Sequence, residues 1–146
     1  MYVLPRRMLQ GTFEKLRACG GNQRECQLFW LSTWQEPTKL VEVVHPRHTS
    51  SRAGLNVDSD WITEFWNQLS RSEHSVSVQV HTHPREAFHS AVDDAYPLLC
   101  HAGFLSLVIP DFAMGPIGFD HAYLAEIQAD GHWKQVAISS RISLNG

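Results

Sequence analysis

The sequence predicts an α/β domain of the α+β kind, a mixed β-sheet sandwiched by two or three helices. Two stretches carry apolar residues at helical spacing, and five or more short runs read as strands. Hairpin-like pairs and helices are mixed along the chain instead of falling into separate blocks. At 146 residues the chain is one domain by length, 1–146, large enough to bury most of its apolar surface without staples. The 43% hydrophobic content agrees with a packed core.

From Pro5 to Cys19, Met8, Leu9, Phe13 and Leu16 fall at helical spacings, with Pro5 suited to a first turn and Gly20-Gly21 to the stop. Gly11 weakens this helix. Glu25 to Leu31 reads as a strand and Thr38 to His45 as its hairpin partner, with Glu36-Pro37 between them. Pro46 to Val57 is polar and broken by Gly54, which predicts a loop. Asp58 to Arg71 places Trp61, Ile62, Phe65, Trp66 and Leu69 on one helical stripe, with Asp58, Ser59 or Asp60 available as cap. Ala91 to Cys100 is expected to be helical, ended near Pro97. Phe104 to Ile109 is a continuous apolar run suited to the middle of a sheet. Tyr123 to Gln128 and His132 to Ile138 flank Asp130-Gly131, a pair that favours a tight hairpin turn. The polar tail from Ser139 to Gly146 is expected to fray.

A net charge of −3 supplies no basic field, which argues against a general nucleic-acid binder. No uncharged run is long enough to span a bilayer, and Arg6-Arg7 is followed by Gln10, Glu14, Lys15 and Arg17 where an export signal needs an apolar core. Cys19, Cys26 and Cys100 form neither an even count nor a Cys-x-x-Cys pair. That pattern points to reduced thiols in a cytoplasmic protein, not to a disulfide framework or structural zinc.

The chemistry concentrates between Val80 and Asp94. His81 and His83 end an alternating run, Ser75 to Val80, and residues two apart on a strand share a face, so both imidazoles project together. Val76, Val78 and Val80 are expected on the opposite face. Pro84, lacking an N–H, ends the strand. A chain turning after Pro84 can return Asp93 over the histidines. Two imidazoles and a carboxylate suit catalytic zinc, which keeps its fourth tetrahedral position for water. Ser90-x-x-Asp93 equally suits a helix N-terminus, and the two readings are compatible.

This stretch resembles the JAB/MPN (JAMM) zinc metalloprotease family, whose signature is an upstream Glu, then His-x-His-Pro, then Ser-x-x-Asp. The resemblance covers Glu25 to about Ile138 and implies the family's JAB/MPN-like, cytidine deaminase-like fold. It assigns the metal to His81, His83 and Asp93, with Asp94 an alternative because the spacer before Ser90 is short. It nominates Glu25 as general base and Ser90 as the hydroxyl that stabilises the oxyanion. His89, beside Ser90, is a further contender for the ion. His45 and His48 are read as exposed residues that border the site at most, and His74, His101, His121 and His132 have no partner at ligand spacing.

The run Gly103 to Pro110 looks most like bacterial members of the family. The resemblance therefore implies a zinc-dependent isopeptidase acting on a ubiquitin-like protein and its conjugates. Such members accompany ubiquitin-activating and ubiquitin-conjugating homologues in antiviral defence systems. Processing of a sulfur-carrier protein in biosynthesis, or a non-catalytic scaffold, are the alternatives.

Overall fold

A computed structural model describes residues 1–52, 54–89 and 101–146 of the chain. Strand β1 (Tyr2–Pro5) leads into helix α1 (Arg6–Gly20), followed by β2 (Gln27–Thr33), β3 (Glu42–Val44), β4 (His48–Ser50) and β5 (Leu55–Val57). Helix α2 (Ser59–Ser72) and β6 (His74–Thr82) come next, then β7 (Leu105–Ile109), β8 (Tyr123–Ile127), β9 (Trp133–Gln135) and β10 (Ile142–Asn145). Six strands form one mixed sheet in the order β3-β2-β6-β7-β8-β9. Within it β6 and β7 run parallel and the other neighbours antiparallel.

The two helices cover opposite faces of this sheet. Helix α1 buries the predicted stripe, Met8, Leu9, Phe13 and Leu16, against Leu28 and Trp30 of β2, Val78 and Val80 of β6, and Leu105 and Leu107 of β7. Pro5 precedes its first turn, and Gly21, at φ 56°, ends it by donating its N–H to Arg17 O at 2.9 Å. Helix α2 is capped by Asp58, whose carboxylate accepts from the N–H groups of Asp60 and Trp61. Its Phe65 and Leu69 pack on Phe29, Leu31 and Val76. The rings of Phe29, Phe65 and Trp61 stack in sequence, with centroids 5.7 and 4.7 Å apart. Trp30 is fully buried, and its indole N–H donates to Thr12 Oγ1 at 2.9 Å, so the polar edge of the ring is satisfied inside the core.

One irregularity sets which residues of β6 look which way. Trp30 pairs with Val78, but the next residue, Leu31, pairs with Val76, so Ser77 is an extra residue in β6. A bulge of this kind breaks the alternation. Val78 and Val80 therefore face α1 while Val76 faces α2, which corrects the expectation that the three valines share one face. The polar side chains of β6 are also buried: Ser77 Oγ lies 2.7 Å from Ser32 Oγ, and Gln79 Nε2 donates to Ser106 Oγ at 2.9 Å.

Three further expectations change. The segment predicted as a loop from Pro46 to Val57 contains the β4–β5 hairpin, in which His48 pairs with Val57 and Ser50 with Leu55. The strand predicted over Thr38 to His45 is reduced to Glu42–Val44. The tail does not fray: β10 pairs in parallel with β1, Ile142 opposite Tyr2, and Ile142 is buried in the α1 core. Polar neighbours hid the apolar Ile142 and Leu144. The predicted helix from Ala91 to Cys100 lies outside the described residues, which contain two α-helices, α1 and α2.

Candidate metal centre

Register builds this site. Strands β2 and β6 are antiparallel with Gln27 opposite His81, and just beyond the paired residues Glu25 comes near His83. The junction is fastened on both sides. Cys26 N donates to Thr82 Oγ1 at 2.9 Å and Thr82 N to Cys26 O at 3.0 Å. Glu25 itself donates its N–H to Ser51 O at 2.9 Å, where the β4–β5 hairpin turns. His83 lies just past β6, yet its N–H donates to Ile109 O at 2.9 Å and its carbonyl accepts from Phe112 N at 2.8 Å.

The rings of His81 and His83 are 5.2 Å apart, and His83 Nε2 is 4.0 Å from Glu25 Oε1. All three residues are buried. That separation is beyond direct hydrogen-bond range and fits an interposed water or ion. Two neighbouring imidazoles backed by a carboxylate are a donor set of the kind zinc takes. The described residues therefore fit a metal. Ser90, Asp93 and its alternative Asp94 lie outside the described residues.

Behind His83 the backbone is strained. Asp111, Phe112 and Ala113 have φ values of 56°, 52° and 63°, a left-handed turn made by three residues that each carry a Cβ. Such conformations cost of order 1–3 kcal/mol apiece and persist only where the surroundings hold them. Here Arg17 does so from α1, its Nε donating to Ala113 O and its Nη2 to Gly115 O, both at 2.6 Å. Phe112 is buried in the same turn.

His89, flagged as a contender for the ion, has Nε2 3.2 Å from Ser106 Oγ and its ring 4.5 Å from that of Trp133 and 6.4 Å from that of His81. Phe88, half exposed, sets its ring edge-on to His83 at 4.6 Å. Gln79 is expected from the alternation to share the histidines' face; that Gln27 and Ser106 join it there in a buried polar row is a feature the sequence reading missed. Strand register, not residue type, was the signal for it.

A second group of metal-type donors was also missed. Cys19, Cys26, His45 and His48 bring their donor atoms within 4.8 Å of one another. The sulfurs of Cys19 and Cys26 meet as a disulfide, with a Cα–Cα distance of 6.1 Å, which corrects the expectation of separate reduced thiols. The turn after α1 folds the chain back on itself, a proximity that the spacing alone did not reveal. His45 and His48, read as exposed border residues, lean on these sulfurs, and burial followed by the nearby His48 and Lys15 lowers the pKa of His45.

No family model matches the chain. A probable metalloprotease of Sinorhizobium fredii is 31% identical over 139 residues, covering 92% of this chain and 86% of the relative. A JAB1/MPN domain protein of Archaeoglobus fulgidus superposes over 99% of this chain and 97% of that one, with a TM-score of 0.53 at 13% identity. The chain belongs to the JAB/MPN family. A protein of Desulfitobacterium hafniense solved in solution shares the fold with a TM-score of 0.68 at 14% identity, over 99% of this chain and 93% of that one. The six-stranded mixed sheet between two helices is thus the JAB/MPN architecture. Among the described residues no helix is long and apolar enough to cross a membrane.

Proposed function

We propose that this JAB/MPN domain is a zinc-dependent peptidase or isopeptidase. Its substrate is the bond that follows the C-terminus of a ubiquitin-like protein, and its setting is a bacterial ubiquitin-like antiviral defence system. The 4.0 Å approach of Glu25 to His83, beside His81 at the buried end of β6, is the observation that carries the reading. The likeness to a relative named a probable metalloprotease supports the reaction class. The Gly103 to Pro110 run, similar to that of bacterial members, supports the setting.

His81, His83 and Asp93 are the residues that would hold the ion. Bound there, zinc lowers the pKa of a water toward neutrality and polarises the scissile carbonyl. Glu25 takes the proton from the attacking water as the C–O bond forms. The Ser90 hydroxyl donates to the carbonyl oxygen as negative charge builds on it, a contribution of about 3 kcal/mol to the barrier when one such donor is lost. Glu25 then returns the proton to the lysine or α-amine as the C–N bond breaks. An extended modifier tail suits pairing with an open strand edge, and β3 and β9 are the outer strands of the sheet.

The test uses ubiquitin-like proteins carrying either a C-terminal extension or an isopeptide-linked lysine. Wild type cleaves, stops on chelation and recovers with added zinc. Glu25→Ala keeps its zinc and does not cleave. Undiminished cleavage by Glu25→Ala removes that residue as the base, and failure of the zinc-loaded wild type on every such fusion removes the substrate class.

A further inference from the structure

We propose that, with its thiols reduced, the protein holds a second metal ion, a structural zinc bound by Cys19, Cys26, His45 and His48. Cys26 adjoins Glu25 at the entry to β2, while Cys19, His45 and His48 come from parts of the chain that the candidate metal centre does not use: the last turn of α1, the residue after β3 and the start of β4.

Geometry is the first support. Cys19 Sγ lies 3.5 Å from His48 Nε2, and Cys26 Sγ 3.4 Å from His45 Nε2. In a tetrahedron with Zn–S of about 2.3 Å and Zn–N of about 2.0–2.1 Å, neighbouring donors stand roughly 3.3–3.8 Å apart. Both sulfur–nitrogen edges fit. The two rings meet edge to face with centroids 5.1 Å apart, so each presents a nitrogen to the sulfurs without stacking on the other.

Tautomer is the second. His48 Nδ1 is 2.9 Å from Pro46 O, and a carbonyl can only accept, so Nδ1 carries the hydrogen and Nε2 presents its lone pair toward Cys19. A backbone carbonyl holding the far ring nitrogen is the usual support of a metal-binding imidazole. A disulfide does not account for it. Oxidised sulfur offers no hydrogen to that lone pair, whereas an ion uses both sulfurs and both imidazoles at once.

Charge is the third. Arg24 lines the same open concavity of about 830 Å³ as Cys19, His45 and His48; Arg47 lines it too but is paired with Asp58 at 3.0 Å, so the cationic influence rests on Arg24. Cationic neighbours favour the thiolate form, and two thiolates neutralise a divalent ion. Four protein donors leave no corner for water, so this ion is structural. Its place is nonetheless consequential. It would tie the α1–β2 turn to the β3–β4 connection immediately beside Glu25, whose own N–H is held by the neighbouring hairpin.

Cobalt distinguishes this site from the other, because only thiolate ligands give an intense sulfur-to-cobalt charge-transfer band in the near ultraviolet. Metal-free, reduced protein in a Cys100→Ser background is titrated with Co²⁺, and zinc content is measured in parallel. The expected result is that band at one equivalent, with two zinc ions per chain. Cys19→Ser and His48→Ala each lower the zinc count by one and Cys19→Ser weakens the band. His81→Ala/His83→Ala also removes one zinc but leaves the band intact. In wild type, zinc should slow alkylation of both thiols at least tenfold. Absence of the band in folded, reduced protein would overturn the proposal. So would thiols alkylated equally fast with and without zinc, or a single zinc lost entirely in His81→Ala/His83→Ala.

Discussion

Glu25 gains its place from what surrounds it more than from its own chemistry. Its N–H is taken by Ser51, and the next residue is clamped by Thr82, whose hydroxyl accepts from Cys26 N. Thr82→Val leaves that buried N–H without its acceptor and should cost about 1–3 kcal/mol of stability. If chemical denaturation shows no loss, the clamp is incidental. Arg17 makes a comparable case at longer range. Arg17→Met removes both donors to the left-handed turn behind His83, and the expected outcome is a lower melting temperature with weaker zinc binding at the candidate centre. Unchanged affinity would mean that the turn does not support His83. At this scale His81 and His83 were legible because alternation places both on one face, and Glu25 through its place in the family signature. The three left-handed residues were not legible. Asp111, Phe112 and Ala113 contain no glycine to announce a positive φ, and tertiary contacts hold them there: Arg17 on Ala113 O and Gly115 O, and the bonds of Asp111 N to Arg85 O and Phe112 N to His83 O.

Among elements, the ones with a strong period could be read and the short ones could not. Both helices carried apolar stripes, and the hydrophobic run of β7 announced a central strand. Strands β4 and β5 have three residues each and pair only with each other; β4 is polar, and the single alternation Leu55-Asn56-Val57 of β5 is too short to mark a strand. Strand β10 is tied down partly by charge. Arg141, just before it, donates from Nε to Glu126 Oε2 of β8 at 2.7 Å and from Nη2 to Glu126 Oε1 at 3.0 Å. This hydrogen-bonded pairing with Arg141, ahead of a smaller contribution from Gln128, holds the Glu126 carboxyl below its ordinary value against the opposing effect of burial. A carboxylate whose folded pKa is depressed contributes stability above its unfolded pKa and loses it as pH falls through the folded value. Melting temperatures of wild type and Glu126→Gln should therefore differ at neutral pH and converge in acid, below the usual glutamate range. A gap independent of pH would assign the difference to packing.

Considered whole, the molecule closes on itself where its two ends meet. Strand β1 precedes α1, strand β10 follows everything else, and their parallel pairing brings Ile142 into the core beneath α1. Ile142→Ala should destabilise the entire domain by about 2–5 kcal/mol, as a large-to-small change in a packed core does. A loss below about 0.5 kcal/mol would mean that the C-terminal strand is dispensable. Fold class was readable from the mixture of periods. The meeting of the termini was not, because parallel pairing between the first and last segments leaves no mark in either alone. The Cys19, Cys26, His45 and His48 cluster escaped for the same reason, since its two halves are contributed by separate turns.

Ser77 divides β6 into two lengths that keep different time. The first three residues, His74 to Val76, pair with β2 alone and send Val76 toward α2, while those from Val78 onward pair with both β2 and β7 and lead to the imidazoles. Deleting that one residue, without altering any side chain near the histidines, would set Val76 directly before Val78 and still opposite Leu31, a regular ladder in which each valine keeps its present face. The imidazole end would stay anchored by its neighbours on both sides and α2 would keep its contact with Val76, so the expected cost is the lost Ser77–Ser32 hydroxyl contact, seen as a small drop in melting temperature.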